Sequence, residues 1–215
     1  MLSEADKQAL TARVARVEAA TGTQVVTAVV DKADDYPELV WTAFALGAVL
    51  AALVVVAVDA LRPEWMSAYV ALWNVTPVLA AGAASALAAV FVPDYARLFL
   101  RAARRDREVR QYAQCLFLEH DLCRTRSRTA VLLLVARFER KVELCADTGF
   151  SDRVSAADWH GVVDATTTRL AQGDCAGALM AGLARVEDIL RERGYVGDGT
   201  APDEIPDTPL EAAGS

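Results

Sequence analysis

Two stretches without a formal charge constrain this chain more than anything else in it. Leu39–Val58 runs for twenty residues and Met66–Val92 for twenty-seven. An α-helix rises about 1.5 Å per residue, so about 20 apolar residues cross the roughly 30 Å hydrocarbon core of a bilayer. Only Asp59–Trp65 separates the two stretches, which reads as a hairpin connection. They are apolar at 39 of their 47 positions, and the whole chain has 215 residues. A soluble domain of that size has too little mass to surround two helices that are apolar on every side. The sequence therefore predicts a transmembrane helical hairpin over 39–92, with spans at 39–58 and 66–92.

Composition divides along the same line. The overall apolar content of 54% is high, but the excess sits in the hairpin, and the remainder is ordinary for a soluble domain. The net charge of −7 is also uneven, because Val196–Ser215 holds five acids and no base. This balance excludes a disordered chain, a disulfide miniprotein and a simple basic nucleic-acid binder. Cys115, Cys123, Cys145 and Cys175 show no CxxC spacing, which suits a reducing compartment. His120 between Cys115 and Cys123 is unlike a zinc-finger arrangement. There is no P-loop, HExxH, GxSxG or GxGxxG motif.

Basic residues orient the hairpin. Arg97, Arg101, Arg104, Arg105, Arg107 and Arg110 follow the second span, whereas the connection carries only Arg62. The positive-inside rule then expects both termini in the cytoplasm of a cell with this protein in its inner (plasma) membrane. The arginines from Arg97 to Arg110 are expected to meet anionic lipid headgroups rather than nucleic acid. Trp41, Trp65, Tyr69 and Tyr95 lie near the span ends, as interfacial aromatics do. Asn74 can bond the first span, and Pro77 is expected to kink the second.

The rest of the chain alternates between helix and strand. Ser3 and Asp6 form a capping-box pair for a helix reaching about Ala20, and Gly22 ends it. Gln24–Val30 is β-branched and apolar, the pattern of a buried strand. After the hairpin a long arginine-rich helix is expected from Pro93 to about Leu122. Thr129–Phe138 is the strongest strand, Glu139–Arg140 a turn, and Lys141–Asp147 an antiparallel partner. Helices follow over about Ser155–Gln172 and Asp174–Arg193, and residues 196–215 are expected to be a disordered acidic tail. This order gives an α/β fold, an α/β/α-layered domain with a mixed sheet built from 1–38 and 93–195 and interrupted by the hairpin. A strand–helix–strand unit is parallel and right-handed, so the first two strands are expected to run parallel.

The stretch Thr125-Arg-Ser-Arg128-Thr-Ala-Val-Leu-Leu-Leu-Val resembles the TPM domain family. Further similarities are the Gly22-Thr-Gln-Val-Val-Thr-Ala-Val-Val strand, the hairpin leading to Asp147-Thr-Gly149-Phe, Trp159 opening the next helix, and Asp203-Glu-Ile-Pro-Asp207. Ala130 stands where the family usually has Gly, and the turn after Asp147 departs from its usual glycine-rich form. The resemblance implies an α/β/α fold. Some members resemble acid phosphatases or bind calcium. The two departures fall at the turns rather than in the framework, so they bear on catalysis more than on fold.

Two groups of residues carry the chemistry expected here. Asp31, Asp34 and Asp35 follow the first strand, where carboxylates at that spacing can share Ca²⁺ or Mg²⁺. The alternative is a solvated loop whose charge favours the following helix N-terminus. Thr125, Arg128 and Asp147 meet if the second and third strands pair antiparallel; Arg binds phosphate and the carboxylate holds a metal or acts as a base. The alternative is an Arg128–Asp147 ion pair closing the sheet edge. Parallel first and second strands put Asp31 and Asp147 at opposite ends of the sheet, so the two groups are expected to be separate. The leading functional expectation is a membrane-anchored binding or scaffolding module of the cell envelope, with the bilayer and a further protein as partners. The alternative is a metal-assisted phosphatase acting on phosphate esters at the membrane surface.

Overall fold

A computed structural model describes residues 2–61, 68–197 and 205–212. The chain forms two compact units, Met1–Asp34 with Arg105–Ser215, and Asp35–Arg104.

The first unit is built on a four-stranded sheet. Its strands are β1 (Gln24–Val30), β2 (Ala130–Ala136), β3 (Lys141–Ala146) and β4 (Leu210–Ala212), in the order β3-β2-β1-β4. β1 runs parallel to β2 with Gln24 opposite Ala130, and β2 runs antiparallel to β3 with Val131 opposite Ala146. Successive side chains leave a strand on opposite faces. Val25, Val29, Val131, Leu133 and Val135 therefore share one core with α1 (Glu4–Thr21), α6 (Ala156–Leu170) and α7 (Cys175–Glu192). Val26, Ala28, Leu132 and Leu134 share the other with Val109 and Ala113 of α5 (Ala102–Glu119). Both faces are covered, which is why β2 reads as a continuous apolar run, and β1 nearly so, rather than alternating. Every residue of β2 is fully buried. Burying each Leu or Val contributes about 1.5–3 kcal/mol as an upper bound.

Local chemistry starts and stops these elements as the sequence implies. Ser3 Oγ accepts from the Asp6 N–H while the Asp6 carboxylate accepts from the Ser3 N–H, completing the capping box of α1. Gly22 ends α1 in the left-handed region at φ 66°, where its missing Cβ removes the usual steric cost. Ser155 and Asp158 form the same box at the start of α6.

The second unit contains α2 (Pro37–Leu61), α3 (Ala68–Phe91) and the short α4 (Pro93–Arg97). Helices α2 and α3 meet through small residues. A Cβ added to Gly47 would stand 2.6 Å from Ser85 Cβ and 2.7 Å from the Ala81 carbonyl oxygen. Ser85 Oγ donates to the Ala43 carbonyl at 2.6 Å, and Asn74 Nδ2 donates to Asp59 Oδ2 at 2.6 Å. Ala43, Gly47 and Ala51 on one helix, and Ala81, Ser85 and Ala89 on the other, recur every fourth residue. Such spacing lets two backbones approach closely where no hydrophobic effect drives association. Pro77 lies inside α3.

Both helices are long and apolar enough to cross a membrane: Pro37–Leu61 has 25 residues at mean hydropathy 2.6, and Leu72–Phe91 has 20 at 1.6. Their apolar side chains point outward. Leu50, Leu53, Val54, Leu79 and Val90 are each more than half exposed.

Two expectations are corrected. The arginine-rich helix is not continuous from Pro93: after α4, the amides of Leu98, Phe99 and Leu100 bond carbonyls three residues back, and α5 begins at Ala102. Tightened bonds of that kind end a helix rather than propagate it. The acidic tail is not structureless either. Leu210–Ala212 pairs in parallel with Ala28–Val30, because the outer edge of β1 offers backbone groups to pair with and a partly buried slot for Leu210.

Candidate functional site

The observed pairing separates the two groups of candidate residues. β2 is seven residues long, so at about 3.3 Å per residue its ends lie about 20 Å apart. Asp31 is at one end, where its carbonyl accepts from the Phe138 N–H; Asp147 is at the other, where its N–H donates to the Ala130 carbonyl.

At the Asp147 end, Arg128 and Asp147 meet. Arg128 Nη2 donates to Asp147 Oδ1 at 3.0 Å, and its Nε lies 2.9 Å from Oδ2. Asp147 Oδ1 also accepts from the Thr148 N–H at 2.7 Å, capping a short 3₁₀ turn at Thr148–Phe150. The carboxylate is almost wholly buried while the guanidinium is half-exposed. Arg128 occupies the left-handed region at φ 55°, which costs a side-chain-bearing residue about 1–2 kcal/mol. The turn is held there by the Arg128 N–H to the Thr125 carbonyl at 3.1 Å and the Gly149 N–H to the Arg128 carbonyl at 2.9 Å. Gly149 is required by that approach, since a Cβ on it would fall 2.5 Å from the Arg128 carbonyl oxygen. Thr125 is buried at the start of this turn, and its hydroxyl has no hydrogen-bond partner among the described residues.

An aromatic group backs this corner. Phe150 lies against Trp159 at 5.4 Å between ring centroids and against Tyr195 at 5.3 Å. The Tyr195 hydroxyl donates to the Gly149 carbonyl at 3.0 Å. Beside it Arg193 binds both oxygens of Asp158, at 2.9 and 2.8 Å. Arg193 first, and then the Ser155 amide and hydroxyl, hold the Asp158 carboxyl down at about 2.

At the other end, Arg137 Nη1 donates to Asp31 Oδ1 at 2.6 Å. That bond holds Arg137 more firmly protonated, with a smaller contribution from Cys175. Glu139 Oε1 accepts from the Ala33 N–H at 2.9 Å. Asp34 closes the first unit and Asp35 opens the second. Among the described residues, no three His, Cys, Asp and Glu side chains are arranged to hold a metal ion. A cavity of about 230 Å³ lies nearby, lined by Leu2, Asp6, Val29, Arg137, Asp174 and Cys175 among others. It sits beyond the carboxyl end of β1, where parallel sheets bind ligands. Its polar lining is already engaged: Arg137 by Asp31, and Asp174 by the Gly177 N–H it accepts.

Sequence reasoning did not single out Arg137, although parallel β1 and β2 of equal length oblige the residue after β2 to face the residue after β1. Tyr195 carried no local signal, since its partner Gly149 is 46 residues away. Burial, and then the charge of Glu143, push the Cys145 thiol up to about 11, so it is a neutral core group at physiological pH. His160 bonds the Ala156 carbonyl of its own helix, as a helix-surface histidine does.

Comparison with known proteins agrees with this architecture. No curated protein matches the chain. The NMR structure of BA42 protein from the psychrophilic bacterium Bizionia argentinensis is similar in fold, with a TM-score of 0.58 at 14% identity, covering 99% of this chain and 96% of that one. The TPM domain matches residues 82–189, which take in β2, β3, the Arg128–Asp147 corner and most of α7. By that match, over half of its length, the chain belongs to the TPM domain family.

Proposed function

We propose that this protein is a membrane-anchored binding module, in which α2 and α3 cross a bilayer as a hairpin and tether a TPM domain to its surface. The observation that carries this reading is the outward apolar face of the hairpin: only 11% of the residues in each span's most apolar stretch are buried within the protein. Contiguous exposed apolar surface of that extent is unstable in water and marks contact with lipid or with another protein. The six arginines from Arg97 to Arg110 support a reading with both termini on the cytoplasmic side, beside anionic headgroups. Binding is favoured over catalysis because Arg128 and Asp147 are ion-paired with each other and Asp147 Oδ1 also takes the Thr148 amide. That geometry supports the sheet-closing ion pair.

The test begins with fractionation of the full chain. It should remain with membranes through carbonate extraction, and a C-terminal alkaline phosphatase fusion should be inactive. Release by carbonate overturns the anchor, and an active fusion overturns the orientation. Phosphate-ester hydrolysis by the purified protein with Ca²⁺ or Mg²⁺, lost in a folded Asp147→Ala variant, would overturn the non-catalytic reading.

A further inference from the structure

The outer edge of β1 is covered in an unusual way. Among the described residues, β4 pairs with Ala28, Val29 and Val30, and the Asp31 N–H donates to the Ala212 carbonyl at 3.1 Å. Further back along the same edge a side chain replaces a strand: the Val25 N–H donates to Glu18 Oε1 at 2.7 Å. Gln24 donates in the opposite direction, to the Thr129 carbonyl beside β2, so Val25 and Asp31 mark the edge facing away from β2. This edge belongs to a wholly buried strand, yet among the described residues its hydrogen-bonded covering is a three-residue strand and one carboxylate. Outside the ladder, the polar ties of β4 run through Glu211. Glu211 Oε1 accepts from the Leu2 N–H at 2.7 Å, and Oε2 lies 2.9 Å from Lys7 Nζ. Those two groups, the amide foremost, hold the Glu211 carboxyl below its ordinary range. Ile205 and Leu210 add partial apolar contact with the β1–α5 core.

We propose that β4 is a releasable strap over a peptide-binding edge. In its absence the outer edge of β1 takes an extended segment of a partner protein in parallel register. The segment's chemistry is defined by the strap it displaces: an apolar residue in the Leu210 slot, followed by an acidic residue that meets Lys7 and the Leu2 N–H. Strand addition of this kind draws affinity from backbone bonds and specificity from alternate side chains. A partner strand longer than three residues also reaches the Val25 amide that Glu18 now serves. The strap belongs to the same chain, so it competes with the partner as an intramolecular ligand whose effective concentration does not depend on that of the protein. Apparent affinity for the partner is lowered by the fraction of molecules whose edge is closed. The proposal stands whether or not the hairpin crosses a bilayer.

The probe is a fluorescent peptide with the sequence of residues 205–212, titrated into the full chain in detergent. The Glu211→Lys chain loses both ties of its own strap while the peptide keeps its glutamate. We expect the peptide to bind the Glu211→Lys chain about tenfold or more tightly than it binds the wild type, the gain expected if most wild-type edges are closed. Hydrogen exchange should show the Val29 and Asp31 amides exposed by the substitution and protected again by the peptide. A Leu210→Asp chain, which opens the strap through its apolar contact instead, should behave alike. Equal affinity for all three chains overturns the proposal, as does lack of binding to both opened chains. Protection that appears away from Val29 and Asp31 overturns it as well.

Discussion

β2 and α2 are made of nearly the same residues and treat them in opposite ways. Leu132, Leu133 and Leu134 of β2 have no exposed surface, whereas Leu50, Leu53 and Val54 of α2 are 54%, 61% and 64% exposed. In β2 the apolar groups face other apolar groups of the same chain, and burial drives folding. In α2 they face outward, and the helices hold together through Gly47, Ser85 and Asn74 instead. The difference teaches that apolarity alone does not identify a core. Its period and its neighbours decide whether the protein or its surroundings act as the apolar solvent.

The largest effect that tests this contrast is a charge placed in each region. Leu133→Asp should cost more than about 4 kcal/mol and leave the α/β domain unfolded, since a charge there has no partner. Leu50→Arg should leave the domain's circular-dichroism melt unchanged while membrane retention falls, because a central arginine costs a span about 2.5–3.5 kcal/mol. If Leu50→Arg unfolds the domain as well, the two regions are not the distinct materials described above.

Added methyl groups give a smaller, sharper version. Gly149→Ala should lower domain stability by about 1–3 kcal/mol in urea, because the backbone at Arg128 must yield. Gly47→Ala should leave that urea midpoint in place and weaken disulfide trapping between cysteines placed across α2 and α3. A shared midpoint shift would mean that hairpin packing and domain folding are one transition.

Within the domain, the Arg128–Asp147 corner is read by unequal substitutions. Asp147→Ala removes both an ion-pair partner and a turn cap, and should cost about 1–3 kcal/mol. Arg128→Gly loses the same pair but relieves the left-handed backbone at φ 55°, so it should cost clearly less in the same titration. A larger loss for Arg128→Gly would contradict the account of that turn.

The smallest effect is a pH dependence. The Asp158 carboxyl titrates at about 2 in the folded chain against an ordinary 3.8. Between those values the unfolded state binds more protons, so stability rises with pH there. The increment is complete above about pH 4 and is lost as pH falls toward 2. Arg193→Gln should flatten that part of a urea-midpoint profile and leave the profile above pH 5 parallel to wild type. An unaltered acid limb would show that the pair contributes nothing to folding.

Much of this was legible in the chain. The capping boxes at Ser3 and Ser155, the glycine stop at Gly22 and the two buried strands depend on neighbouring residues, so local chemistry announces them. The parallel pairing of β1 and β2 followed from the helix between them, and it separated Asp31 from Asp147. The Arg128–Asp147 contact was legible because an antiparallel hairpin must bring its two ends together. The strand at Leu210–Ala212 was not. Leu-Glu-Ala in an acidic, proline-containing tail has no strand signature, and it becomes a strand only where β1 offers an open edge. Arg137 beside Asp31, and Tyr195 beneath Gly149, were hidden for the same reason: each contact joins residues far apart in sequence.

Charge-free length and residue period are properties of the chain, so the division into an apolar hairpin and an α/β domain could be read from them directly. The chain also determined which residues the strands would bury. Which polar groups far apart in sequence become partners was settled by the fold. Asp31 is taken by Arg137, and Glu211 by Leu2 and Lys7. Those assignments depend on which backbone donors and charges the fold brings within about 3 Å, and hydrogen bonds act only at that range.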